Sequence, residues 1–214
     1  MMPPNPLQIP LYHITHIDNL PSILAAGGLW CDCERLRQGF RSINIAHPEL
    51  KLRRMGTPVG LYPGKKIGDF VPFYFANRSP MLYSIHTGFV NGYAGGQGAV
   101  VYLVTDVGRL LKCGNNWCFS DGHAVEAFSG FYNELNDLDK IDWPLIGNWS
   151  WKNTLEDNDR KRRKQAEFLV EGSVPLSAVS HIAAMNAAAQ AQVAGILNNS
   201  TIPLAVTIEP DWYY

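Results

Sequence analysis

The stretch Lys164-Gln165-Ala166-Glu167-Phe168-Leu169-Val170 decides how this chain is read. It follows a basic run, is dominated by apolar and β-favouring residues and is closed by Gly172, so it reads as a strand. Side chains alternate between the two faces of a strand. Ala166, Phe168 and Val170 therefore share one face, and Gln165, Glu167 and Leu169 the other. A carboxylate among apolar neighbours is costly unless it faces a cleft or meets a partner, which makes Glu167 a candidate for chemistry on a cation. The competing reading is a solvent-facing Glu on an edge strand.

Outward from this strand, apolar runs mark the other elements. Residues 11–15, 70–75, 99–105, 181–185 and 204–208 read as strands. A helix is expected up to Ala26, with Asp18 as its N-cap, Pro21 in its first turn and Gly27-Gly28 as its stop. Residues 123–135 read as a helix, and an Ala-rich helix is expected over 186–197. Residues 31–66 show no periodicity and read as a long loop with one short helix, a length that points to function or mobility. A second polar segment, 143–164, leads into the Glu167 strand. No repeat is present, and residues 1–214 are read as one domain.

Composition bounds the function. With 46% apolar and 17% charged residues the chain has the makeup of a globular enzyme rather than a disordered one. A formal charge of −1 means that any nucleic-acid affinity must come from a local patch. The start, Met1-Met2-Pro3-Pro4-Asn5-Pro6, lacks the pattern of a signal peptide, and no segment reaches the length of a membrane span. Cys31, Cys33, Cys113 and Cys118 do not have zinc spacings; no metal is expected, and they fit thiols in a reducing cytoplasm.

Common catalytic motifs are missing. Gly95-Gly96-Gln97-Gly98 precedes a strand where a dinucleotide fingerprint would follow one. Pro63-Gly64-Lys65-Lys66 lacks phosphate-loop spacing, and there is no Gly-x-Ser-x-Gly or His-Glu-x-x-His. Four local constellations remain beside the Glu167 strand. Tyr12-His13-Ile14-Thr15-His16 places His13 and Thr15 on one strand face. Lys51-Leu52-Arg53-Arg54 offers guanidinium groups for phosphate or carboxylate. The aromatic run Val71-Pro72-Phe73-Tyr74-Phe75, continuing to Ser79-Pro80-Met81-Leu82, offers a wall for a planar ring. Arg160-Lys161-Arg162-Arg163-Lys164 is the densest basic run; a solvated helix face is its plain alternative.

These pieces, in this order and with Asp211-Trp212-Tyr213-Tyr214 at the end, resemble the DarT toxins, ADP-ribosyltransferases that modify DNA bases with NAD. The resemblance spans nearly the whole chain. It implies an α+β fold, a split β-sheet with flanking helices and NAD as co-substrate in the central cleft. Carried over residue by residue, it implies that His13, Tyr74 and Glu167 form the family's triad, with Glu167 and Arg54 catalytic. His13, Thr15, Asn19, Leu29, Arg54 and Tyr74 would contact NAD. Arg160, Lys161, Arg162 and Arg163 would meet DNA phosphates, and exposed Trp149 and Trp151 would stack on bases. A base attacked through a ring nitrogen must be unpaired, so single-stranded DNA is the expected substrate, with thymine the better match. A monomer is expected, and the resemblance also implies a macrodomain antitoxin that reverses the modification. Transfer to guanine or to RNA, or an inactive nucleic-acid-binding module, stay open as alternatives; the retained His13, Arg54 and Glu167 argue against the last.

Overall fold

Alternating apolar residues build most of this molecule's strands. The computed structural model describes residues 5–198, 200 and 202–214. In chain order the elements are β1 (Pro10–His16), α1 (Leu20–Ala25), β2 (Gly28–Trp30), α2 (Asp32–Arg37) and α3 (Pro48–Gly56). Then follow β3 (Phe70–Tyr74), α4 (Pro80–His86), β4 (Val100–Asp106), α5 (Val107–Leu111), β5 (Trp117–Ser120) and β6 (Phe131–Tyr132). The chain continues through α6 (Trp143–Ile146), α7 (Arg160–Arg163), β7 (Glu167–Glu171), β8 (Ser173–Pro175), β9 (His181–Ala184), α8 (Ala187–Leu197) and β10 (Ala205–Ile208).

Eight strands form one mixed sheet in the order β10-β9-β4-β1-β3-β7-β5-β6, and β2 pairs with β8 apart from it. β10 and β9 run parallel and the other neighbours antiparallel. The sheet is nearly divided. β1 pairs with β4 at seven positions and β3 with β7 at five, but β1 and β3 meet only at Tyr12↔Tyr74. Two residues further along that register, Ile14 would oppose Pro72, which has no N–H to donate. The Pro72 carbonyl instead accepts from His13 Nδ1 at 2.8 Å. The strands part there, and the split opens the cleft described below.

The period-two pattern is kept in the packing. Val101 and Leu103 enter one apolar core, while Val100, Tyr102 and Val104 enter the other, so β4 is buried on both faces. Phe168 and Val170 join the first core and Leu169 a third cluster with Phe70 and Cys118. The alternation read in 164–170 holds from Ala166 onward, but the strand begins only at Glu167, because Lys164 and Gln165 form the turn that ends α7. β7 is interior, paired with β3 on one side and β5 on the other, which removes the edge-strand alternative for Glu167.

Several expectations are corrected. Asp18 lies inside a short 3-10 turn capped by His16, and Asn19 occupies the N-cap of α1. Residues 31–66 hold two short helices, α2 and α3, rather than one. Residues 123–135 are not helical. They form a braced turn, the two-residue β6 and the start of a 3-10 segment, because their backbone groups bond to distant elements. β5, the partner of β6, was not foreseen. Among the described residues, no helix is long and apolar enough to cross a membrane, and no group of three or more His, Cys, Asp or Glu is placed to hold a metal.

Candidate active site

Glu167 opens β7 opposite Tyr74 of β3 and Ser120 of β5, and only 1% of its surface reaches solvent. Its two oxygens have separate partners. Oε2 accepts from Arg54 NH1 at 2.7 Å, and Oε1 accepts from the Ala124 backbone N–H at 3.1 Å. Arg54 comes from the last turn of α3, which Pro48 starts at a position where no N–H is needed. Burial opposes the guanidinium charge, but the adjoining Glu167 carboxylate outweighs it and holds Arg54 protonated. Removing either partner would strand a charge in a dry site, a loss of about 3–5 kcal/mol. Arg54 NH2 is buried and has no hydrogen-bond partner. Such an orphaned donor is expected where a ligand supplies the acceptor.

His13 stands across the split from this pair. Burial lowers its pKa to about 4, so the ring is neutral at pH 7. The Pro72 carbonyl accepts only, so Nδ1 carries the proton and Nε2 remains an acceptor. Burial, reinforced by Glu167, pushes the Tyr74 phenol far above its usual range; its hydroxyl contacts Met81 Sδ at 3.4 Å. Asn19 donates from Nδ2 to Thr15 Oγ1 at 3.1 Å and to the Ile43 carbonyl at 2.9 Å. Its Oδ1 accepts from the Ile43 N–H at 2.7 Å. Asn19 thus clamps the 40–46 loop over the cleft. His13, Thr15, Asn19, Leu29, Arg54, Tyr74 and Glu167 all line one cavity of about 560 Å³, within the range of small-molecule sites.

His123 also lines this cavity and was missed, because reading 123–135 as a helix hid it. Burial lowers its pKa, and Glu167 works against that. Phe128 lines the same cavity from the tip of the 121–130 turn.

The residues expected to meet nucleic acid divide into two groups. Arg162 is bound to Asp159 by Nε at 2.8 Å and NH2 at 2.7 Å, and to Asp121 by NH1 at 2.9 Å. Arg163 pairs with Asp142 at 2.8 Å and with Asp157. Arg160 donates to the Lys152 and Ser150 carbonyls. Lys164 is buried, and its Nζ donates to the Ile146 and Asn148 carbonyls at 2.6 and 2.8 Å, closing the C-terminal end of α6. Burial pulls its pKa to about 8. Arg160, Arg162, Arg163 and Lys164 thus brace neighbouring segments, and Arg162 also lines the cavity. Lys161 lines the cavity and has no ion-pair partner among the described residues. Trp149 is 66% exposed, with the Arg78 guanidinium 4.0 Å from its ring. Trp151 is 7% exposed and its indole N–H donates to the Tyr214 hydroxyl at 2.7 Å, so its expected exposure is overturned.

Comparison with known proteins bears on this geometry. The family described as "ssDNA thymidine ADP-ribosyltransferase, DarT" matches residues 12–214. A DNA ADP-ribosyl transferase of Thermus sp. (strain 2.9) is 38% identical over 213 residues, 98% of this chain and of that protein. A solved structure of Thermus sp. 2.9 DarT in complex with ADP-ribosylated ssDNA superposes with a TM-score of 0.91 at 35% identity, covering 100% of both chains. Another in complex with NAD+ gives 0.84 at 34% identity and 99% of both. A Thermosipho africanus protein, 27% identical over 95% of this chain and 49% of its own length, is a fusion of DNA ADP-ribosyl transferase and DNA ADP-ribosyl glycohydrolase.

Proposed function

The chain belongs to the DarT family and is a DNA ADP-ribosyltransferase that uses NAD, and on that premise we propose that it modifies thymine in single-stranded DNA as the toxin of a toxin–antitoxin pair. The observation that carries this reading is the buried Glu167–Arg54 pair at the split of the sheet, facing a neutral His13 in one cavity. The fusion of transferase and glycohydrolase in a relative supports a macrodomain partner that removes the modification. Residues 1–214 are read as one catalytic unit, acting as a monomer in the cytoplasm.

The cavity suits NAD on its own donor set: an acceptor nitrogen on His13, an unpartnered buried donor on Arg54 and an aromatic wall at Tyr74. NAD supplies an electrophilic ribose carbon as its bond to nicotinamide breaks. Glu167 is placed to stabilise the positive charge that develops there and to orient a ribose hydroxyl, where the low dielectric strengthens both effects. His13 Nε2 accepts from a ligand hydroxyl, and the Asn19–Ile43 clamp holds the loop that covers the dinucleotide. Arg54 cannot accept a proton. Its free NH2 instead holds a negative group, either an NAD phosphate or a target base as its ring nitrogen loses its proton. Glu167 is the candidate acceptor for that proton. Incubating NAD and protein with single-stranded oligonucleotides of varied sequence, followed by mass spectrometry, tests the reading. One added ADP-ribosyl group on thymine-containing strands is expected. Adducts confined to strands without thymine, or to RNA, would overturn it.

A further inference from the structure

Phe128 is the anomaly the chemistry above does not use. It is 89% exposed, yet it lines the active-site cavity. A solitary exposed Phe is unremarkable on a loose loop. The turn that carries this one is not loose. Ser129 Oγ donates to the His123 carbonyl at 2.8 Å, and the Gly130 N–H donates to Asp121 Oδ1 at 3.0 Å. From α7, Arg162 NH1 reaches Asp121 at 2.9 Å and Ser129 Oγ at 3.1 Å, and its carbonyl accepts from the His123 N–H at 2.9 Å. From α3, Arg53 NH2 donates to the Val125 carbonyl at 3.0 Å. Arg162 also lies against Gly122, where a Cβ would fall 2.3 Å from its NH1. Two helices and the turn's own bonds thus hold an apolar ring out at the cavity mouth.

The position of the ring along the sheet indicates what it meets. Reading from β1 through β3 to β7 passes His13, Tyr74 and Glu167 in turn, and the 121–130 turn lies beyond, where it joins β5 to β6. The residues proposed to hold NAD on the sheet, His13, Thr15 and Tyr74, belong to β1 and β3, so by strand order Phe128 stands on the opposite, acceptor side of Glu167. Lys161, the cation of the basic run without an ion-pair partner among the described residues, lines the same cavity. An exposed aromatic ring and an unpaired ammonium lining one cavity are the pairing that single-stranded nucleic acid uses, base on ring and phosphate near the charge.

We infer that Phe128 is a stacking platform for a nucleobase adjacent to the target base, and that Arg53 and Arg162 position it. This rests on the single-stranded DNA reading above. Stacking accepts any base, so Phe128 contributes affinity for the strand and leaves the choice of target to other groups.

The test uses the full chain and oligonucleotides holding one target thymine, with an abasic site moved through each flanking position. At one position the abasic site should raise the wild-type KM for DNA about tenfold. Phe128→Ala should raise the KM for the intact strand by about as much, become insensitive to that abasic site, and change the KM for NAD less than about twofold. Phe128→Trp should restore both affinity and sensitivity. An unchanged DNA KM for Phe128→Ala, or equal sensitivity to every abasic site in both proteins, would overturn the inference while leaving DNA modification by the wild type intact. Failure of the wild type to modify any single-stranded oligonucleotide would overturn the underlying reading with it.

Discussion

Arg162→Met and Lys161→Met, adjacent substitutions in one basic run, should have opposite consequences. Arg162 is 15% exposed and binds two carboxylates: Asp121, 21% exposed, and Asp159, 43% exposed. Breaking a buried ion pair costs about 3–5 kcal/mol and an exposed one about 0–1 kcal/mol. The Asp121 arm lies nearer the first case and the Asp159 arm nearer the second, which gives about 2–4 kcal/mol for losing both. For a chain of this size that lowers Tm by about 5–15 °C. Arg162→Met should therefore melt early, while its DNA affinity at a temperature where it stays folded keeps the wild-type salt dependence. Lys161 has no ion-pair partner to lose among the described residues, so Lys161→Met should melt like the wild type. If it meets one phosphate, its slope of log affinity against log salt should shrink by roughly 0.7. Thermal melts and oligonucleotide titrations across salt concentrations decide the matter. A Lys161→Met protein that melts early with an unchanged slope, beside an Arg162→Met protein of wild-type Tm and reduced slope, would refute the division of the run into brace and contact.

Two further outcomes follow from the cavity. The unfolded chain protonates His13 near its ordinary value of about 6.5 and the folded chain only near 4. Acidification through that window therefore favours unfolding, and the wild type should lose about 2–3 kcal/mol that His13→Gln does not, as read from urea midpoints at successive pH values. Equal slopes for the two proteins would show that His13 is not buried neutral. Arg54→Lys keeps the charge beside Glu167 but loses the planar fork and its free NH2, so kcat/KM should fall about tenfold or more with the fold retained; wild-type turnover would rule out a ligand at that nitrogen.

What the sequence disclosed follows from how local each signal was. β7 and the face of Glu167 were legible because period two survives in 166–170 and both apolar faces are filled as the alternation demands. His13, Tyr74 and Glu167 lie far apart in sequence and are brought together by pairing across the split sheet. The family resemblance anticipated their meeting, and the residues alone did not. The 121–130 turn was misread because Ala124, Val125, Phe128, Phe131 and Leu135 recur at helical intervals. Tertiary bonds override that pattern: the Ala124 N–H goes to Glu167 and the His123 N–H to Arg162. Trp151 sat in a polar segment and read as exposed, but the Tyr214 hydroxyl and the Tyr83 ring, far off in sequence, enclose it. The basic run was indistinguishable from a surface patch because its acidic partners range from nearby Asp157 and Asp159 to distant Asp121 and Asp142.

The central claim is that Glu167 stabilises charge during transfer of ADP-ribose to DNA. Glu167→Gln keeps the side chain's shape and removes its charge. Nicotinamide release and adduct formation on a thymine-containing single strand should be followed together, with circular dichroism to confirm folding. The protein should stay folded while both fall about 10²–10³-fold, the scale of losing one preorganised electrostatic contact. A folded Glu167→Gln protein that releases nicotinamide and modifies DNA at the wild-type rate would contradict the claim.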